Sequence, residues 1–200
     1  MSGQFPTSPA PRNAVIRSQQ TTIVSITTSG RKQARQIDGQ RFAITLQFPN
    51  MTRAEFAPIQ AFVMKQRSQL ESFTVVPPTV KNALGVATGT ISVNGALTAG
   101  TTTASIDNMT VSTNGILKAG DFFRFSGQDK VYMAVADLDS DGYGEGTLTF
   151  EPPLRANVSD DVDLVYDNID FTVSLTNDIQ EFSIGTTNYY TYEIDVVEVL

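Results

Sequence analysis

Residues 41–48, Arg-Phe-Ala-Ile-Thr-Leu-Gln-Phe, alternate so that Phe42, Ile44, Leu46 and Phe48 share one side of the chain. A period of two marks a strand with one face on a core. The period then lengthens: Phe56, Ile59, Phe62, Val63 and Gln66 fall on one helical stripe,. Thr52 and Glu55 stand at capping-box spacing ahead of it,. Pro58 lies within that stretch and removes a backbone donor,. It predicts either an irregular first turn or a regular helix starting near Ala57 with Pro58 at its first position. Phe73–Val76 reads as a strand that Pro77-Pro78 ends,.

The flanking patterns are weaker. Residues 1–13, with Pro6, Pro9 and Pro11, read as an extended arm outside the core,. One strand is expected around Val15–Ile26. Segment 28–41 is polar and basic, bracketed by Gly30 and Gly39, and reads as a long loop or a solvated hairpin.

From about Gly85 the chain becomes rich in Thr, Ser and Gly, with short apolar runs. Thr90–Gly100 recurs as Thr110–Gly120, identical at seven of eleven positions. Asn94-Gly95 and Asn114-Gly115 each suit a two-residue hairpin turn, since both residue types tolerate positive φ. The two copies read as similar turns that converged on the same chemistry. Strands are expected at Phe122–Phe125, Val131–Val135 and Thr147–Phe150, and Val162–Tyr166 leads out of the region. Phe171–Leu175 and Tyr189–Val199, where Tyr190, Tyr192, Ile194 and Val196 alternate, match the Phe42–Phe48 strand in character. The expected fold is therefore mainly β: a β-sandwich or small barrel with one packed α-helix, plus an inserted β barrel-like module. Residues 1–84 with 166–200 form one discontinuous domain in this reading, and 85–165 the insertion.

Composition narrows the chemistry. The 200 residues contain no Cys, His or Trp. Thiolate metal sites, disulfides and the usual general base near neutral pH are excluded together. No apolar run reaches the length of a membrane span, and Met1–Pro6 lacks the basic and apolar regions of a secretory leader, so neither a membrane nor export is expected,. Charge is uneven. Residues 1–87 hold ten Lys/Arg against three acidic residues, and the remainder holds four against eighteen. Such a split suits a subunit whose surfaces meet neighbours of opposite sign.

Asp137, Asp139 and Asp141 with Gly142 match the opening of a calcium loop, and Glu145 is the only nearby carboxylate to complete it,. The twelfth position, which should supply two oxygens, is Leu148. A hairpin tip made of turn-forming Asp and Gly accounts for the same residues, so neither metal nor cofactor is expected. Asp160, Asp161, Asp163 and Asp167 cluster in sequence and read as a solvated loop, although a carboxylate-based hydrolase is the reading they would serve,. Arg31, Lys32, Arg35 and Arg41 are candidate assembly contacts. No aromatic residue interleaves with them, so nucleic acid is not an expected partner,. Tyr132, Tyr143 and Phe123 would be the platform of a carbohydrate-binding alternative.

Leu117-Lys118-Ala119-Gly120-Asp121-Phe122-Phe123-Arg124-Phe125, followed by Lys130-Val131-Tyr132-Met133, resembles a segment common in phage tail and baseplate proteins. In those proteins an L-x-A-G-D turn precedes a V-Y strand, an Asp/Gly-rich tip and a P-P-L-R element. The last two correspond here to Asp139-Ser140-Asp141-Gly142 and Pro152-Pro153-Leu154-Arg155. The ending Tyr192–Leu200 also resembles their terminal strand. The likeness is closest over about 115–200 and looser over 41–76. It implies a non-enzymatic virion subunit of tail-tube, distal-tail or baseplate type, assembled in the host cytoplasm with copies of itself in a ring and with other tail proteins.

Overall fold

The computed structural model describes residues 2–78, 80–185 and 188–199. Its first elements are β1 (Asn13–Gln19), β2 (Thr22–Ile26), β3 (Lys32–Gln36), β4 (Arg41–Gln47), α1 (Arg53–Lys65) and β5 (Phe73–Val75). Then come β6 (Ser92–Val93), β7 (Thr103–Asp107), β8 (Phe122–Phe125), β9 (Tyr132–Ala134), β10 (Gly146–Glu151) and β11 (Leu164–Val165). The last are β12 (Phe171–Leu175), β13 (Phe182–Ile184) and β14 (Tyr190–Glu198). The chain is mainly β with one packed helix and a barrel-like module, as its periodicities predict. It divides into two compact units, Met1–Thr74 with Thr172–Leu200, and Val75–Phe171.

The first unit is built on a sheet in the order β1-β4-β14-β12-β5, with β13 added to β14. Register places Leu46 opposite Ile194 and Ile44 opposite Val196, so these side chains share a face with Tyr192 and Phe48. Helix α1 lies on that face, where Phe56 meets Tyr192 at 5.5 Å and Phe62 meets Phe73 at 5.4 Å between ring centroids. Phe56, Ile59 and Val63 are buried as the stripe predicts, with Gln66 beside them, while Phe62 is half-buried.

Three local expectations are corrected. Helix α1 begins at Arg53, so Pro58 sits in its interior. Ala54 and Pro58 are both exposed, and Pro58 has no N–H to donate to the Ala54 carbonyl one turn before it. The capping residues act as expected: the Glu55 carboxylate accepts from the Thr52 N–H at 2.8 Å and the Thr52 hydroxyl at 2.9 Å. These bonds hold its pKa below the usual range, the backbone one first. Secondly, the first residues are not wholly outside the core. The Phe5 N–H donates to the Thr74 carbonyl, Gln4 pairs with Thr74, and the buried Phe5 ring packs against Phe48, Phe62 and Phe73. The arm thus covers the β5 edge. Thirdly, the expected Val15–Ile26 strand breaks at Gln20-Thr21 into β1 and β2, which belong to different sheets.

The second unit is a six-stranded sheet in the order β11-β8-β9-β10-β7-β6. Its ends meet: Ser92 bridges Asp163, the Val93 N–H donates to Val162 and the Leu164 N–H donates to Ile91. The rings of Phe123, Phe125, Tyr132 and Phe150 fill the interior, every pair lying 5.4–6.0 Å apart. The unit takes in residues on both sides of 85–165, because the Leu84 and Gly85 amides donate to Asp121, Asn82 pairs with Asp167, and the Ile169 amide donates to Lys81.

The repeat also corrects expectation. Gly95 and Gly115 have positive φ but Asn94 and Asn114 do not, so neither pair makes the two-residue hairpin turn,. Each is a corner whose two sides bond the same partner segment. In the first copy the Gly95 N–H donates to Asp160 Oδ1 (2.6 Å), Leu97 pairs with Val158 and the Ala99 N–H donates to Asn157 Oδ1 (2.9 Å). In the second, the Gly115 N–H donates to Asp139 Oδ1 (2.6 Å), Leu117 pairs with Leu138 and the Ala119 N–H donates to Asp137 Oδ1 (2.9 Å). The partner segments are themselves about twenty residues apart. The repeat is therefore one packing device used twice, extending into residues 134–139 and 154–160, where only Ala136/Ala156, Asp137/Asn157 and Leu138/Val158 keep a visible likeness.

Candidate assembly surface

Strands β2 and β3 form a separate two-stranded sheet with register Ile23 opposite Arg35, Val24 opposite Ala34 and Ile26 opposite Lys32. The Thr27–Arg31 turn closes it. Gly30 takes φ +78° and donates its N–H to Thr27, while the Arg31 N–H donates to the Thr27 hydroxyl at 3.1 Å. From Arg17 to Gly39 every residue except Thr27 is exposed.

That exposure is unusual for its composition. Ile23, Val24, Ile26 and Ile37 are 56, 48, 70 and 43% exposed. Pairing puts Val24 and Ile26 on one face with Ala34 and Lys32, and Ile23 on the other with Arg35. The Ile37 N–H donates to Thr21, which continues the second face. Both faces therefore carry apolar side chains beside a cation. A two-stranded hairpin without a buried face is marginal alone in water, and contiguous exposed apolar surface beside charge is the character of a contact site.

Of the basic candidates, Arg31 lies in the turn and Lys32 and Arg35 on β3. Arg41 starts β4 opposite Gln19, at the base of the hairpin. The isoleucines are the part that the sequence reading does not single out, because a single strand expected around Val15–Ile26 takes in Ile23 and Ile26 without assigning them a face. The usable signal was Thr-Thr-Ser-Gly between two five-residue runs, each alternating about a turn. Strand β1 adds a second open feature. It has β4 as its one strand partner among the described residues and forms an edge of its sheet,.

The other candidate residues are engaged inside the second unit. Asp137 Oδ2 pairs with Lys118 Nζ at 2.7 Å. That bond, and after it the Ala119 amide, holds the Asp137 pKa down, and the same bond raises the pKa of Lys118. Asp139 serves Gly115. Asp141 Oδ1 accepts from the Tyr143 amide (2.8 Å) and the Glu145 amide (3.0 Å), and the amide bonds, Glu145 first, lower its pKa. The three carboxylates thus address three different stretches of backbone, and no group of three or more acidic side chains among the described residues could hold a metal ion. The segment is also longer and better packed than a simple tip: the Met109 amide donates to Gly144 and the Ser112 amide to Asp141. Asp160 accepts from the Gly95 and Asp161 amides. Of the carbohydrate-platform residues, Phe123 and Tyr132 are fully buried and Tyr143 alone is exposed. A stacking platform of these three is thereby ruled out.

Asp121, in the L-x-A-G-D turn, is a buried carboxylate that the composition hid. It accepts from the Leu84 amide (2.7 Å), the Gly85 amide (3.1 Å) and the Lys118 amide (2.7 Å), tying two chain segments together. No protein-family model matches this chain, and no curated protein sequence matches it.

Proposed function

We propose that this chain is a structural subunit of a tailed-phage virion, assembling into a tail tube, distal-tail or baseplate ring without catalysing a reaction. The observation that carries the assembly part is the β2–β3 hairpin, whose two apolar, basic faces find no cover among the described residues. Burying them against a neighbour would remove four large aliphatic side chains from water, a gain of the order of 1.5–3 kcal/mol for each one fully buried. The tail assignment rests on the resemblance of residues 115–200 to phage tail proteins. Histidine and cysteine are missing, and Asp121, Asp137, Asp139, Asp141 and Asp160 of the second unit are bonded to backbone amides, which favours a structural role over acid–base or nucleophilic catalysis.

Sedimentation of the purified protein across concentration, followed by electron imaging alone and in phage particles, tests the reading. Concentration-dependent rings or stacked rings, and labelling of the tail by antibodies to the chain, are the expected results. A strict monomer at all concentrations, absent from tails, would contradict it.

A further inference from the structure

We infer that the β2–β3 hairpin of one copy seats in a groove on the sheet of a second copy, a head-to-tail contact; this rests on the assembly reading above and names the partner of that same surface. The groove, of about 620 Å³, lies in the first unit and is bordered by Gln69, Asp178, Ile179, Glu181, Glu193 and Asp195. Glu193 and Asp195 alternate with Tyr192, Ile194 and Val196 along β14, so they occupy the sheet face turned away from α1,.

Charge and polarity match the hairpin in kind. Four carboxylates border the groove and none forms an ion pair among the described residues. Their present partners are neutral. Asp178 accepts from Gln69 (3.0 Å), Glu193 from Gln47 (2.8 Å) and Asp195 from the Thr45 hydroxyl. Arg17 stops one group short of Asp195, donating to Thr45 Oγ1 at 3.0 Å. Ile179, 75% exposed at the rim, offers an apolar contact. The hairpin brings what this site lacks: Arg31, Lys32 and Arg35, which likewise form no ion pair among the described residues, set beside Ile23 and Ile26.

The same charges decide against pairing of two hairpins with each other. An isologous contact would bring like cations together, and juxtaposed like charges cost several kcal/mol. Docking of hairpin to groove uses different surfaces on the two copies, and a heterologous contact of this type generates closed rings or open helical stacks.

Two charge-reversed full-length variants test the contact by sedimentation velocity. Arg31→Glu/Lys32→Glu/Arg35→Glu and Asp178→Lys/Glu181→Lys/Glu193→Lys should each lose self-association by about a hundredfold, given what like-charge contact costs at an interface. Mixed in equal amounts, they should co-assemble, because each hairpin then meets a groove of opposite sign. That recovery also shows both variants to be folded. Wild-type-like assembly of either variant alone, or a mixture that stays dissociated, would overturn the hairpin–groove contact while leaving assembly through another surface standing. A wild-type protein that never self-associates would overturn the assembly reading and this contact together.

Discussion

The module of residues 75–171 and the hairpin of residues 17–39 are both made of short, turn-rich strands, yet they treat their side chains in opposite ways. In the module, alternate residues point into a closed interior, and four aromatic rings there are all in mutual contact. Asp121, Asp160, Asp139 and Asp137 bond the backbone amides of Gly85, Gly95, Gly115 and Ala119 in turn. In the hairpin, alternation yields two faces with no interior, and the charged groups have no ion partner among the described residues. The module's stability is supplied by its own contacts. Under the assembly proposal, the hairpin's apolar and ionic groups are the ones a neighbouring copy would cover.

Breaking the module should therefore cost far more than altering the hairpin. Phe123→Ala removes a ring from the centre of the aromatic cluster and should destabilise by about 3–5 kcal/mol in denaturant unfolding. A loss below about 1 kcal/mol would mean that the cluster is not the core of a cooperative unit. Gly85→Ala comes next. A Cβ at residue 85 would lie 2.1 Å from the Ile116 carbonyl oxygen, where backbone must yield. The expected cost is about 1–3 kcal/mol, as for an overpacked site, and an unchanged unfolding midpoint would contradict the close approach.

Much of this contrast was legible in the sequence, and unevenly so. Periodicity found the Phe42–Phe48 strand, the α1 stripe and the terminal strand, because each has one face on the core. The aspartate-rich turn could be read as structural because Leu148 interrupts the calcium pattern. The hairpin was half-seen: Arg31, Lys32 and Arg35 stood out as charges, but an alternating strand with both faces in water looks, residue by residue, like one with a face on a core. The equivalence of the two Asn-Gly copies was hidden for another reason. Their partners, Asp137–Asp139 and Asn157–Asp160, bind through backbone geometry that needs only Asp or Asn at a given place, so little sequence likeness survives. Asp121 is not legible as a buried group, since two of its three amide donors, Leu84 and Gly85, come from a distant segment.

Those paired corners sharpen the comparison at smaller scale. Asp139→Ala and Asp160→Ala each remove an acceptor from a glycine amide at 2.6 Å. Each should cost about 1–3 kcal/mol, the range for hydrogen bonds to a charged group. Similar losses in thermal unfolding are expected for the two; a large loss for one and none for the other would break their equivalence. The depressed pKa values of Asp137 and Asp141 give the pH dependence its sign. Their contribution to stability is complete above the ordinary aspartate range and disappears as pH falls through the depressed values, below about 4. Wild type should lose more stability on that descent than Asp137→Asn/Asp141→Asn does. Parallel pH profiles for the two proteins would contradict the assignment.

The smallest expected stability effect belongs to the hairpin, and there the comparison is decided. Ile23→Ser/Ile26→Ser/Ile37→Ser changes three exposed side chains, and each should alter the stability of the isolated chain by no more than about 0.5 kcal/mol. Thermal unfolding and sedimentation are to be measured on the same preparation of this variant and of wild type. The account predicts a closely similar unfolding midpoint with self-association lost. A variant that still assembles like wild type, or one that unfolds many degrees earlier, would contradict the claim that this hairpin is kept for a neighbour.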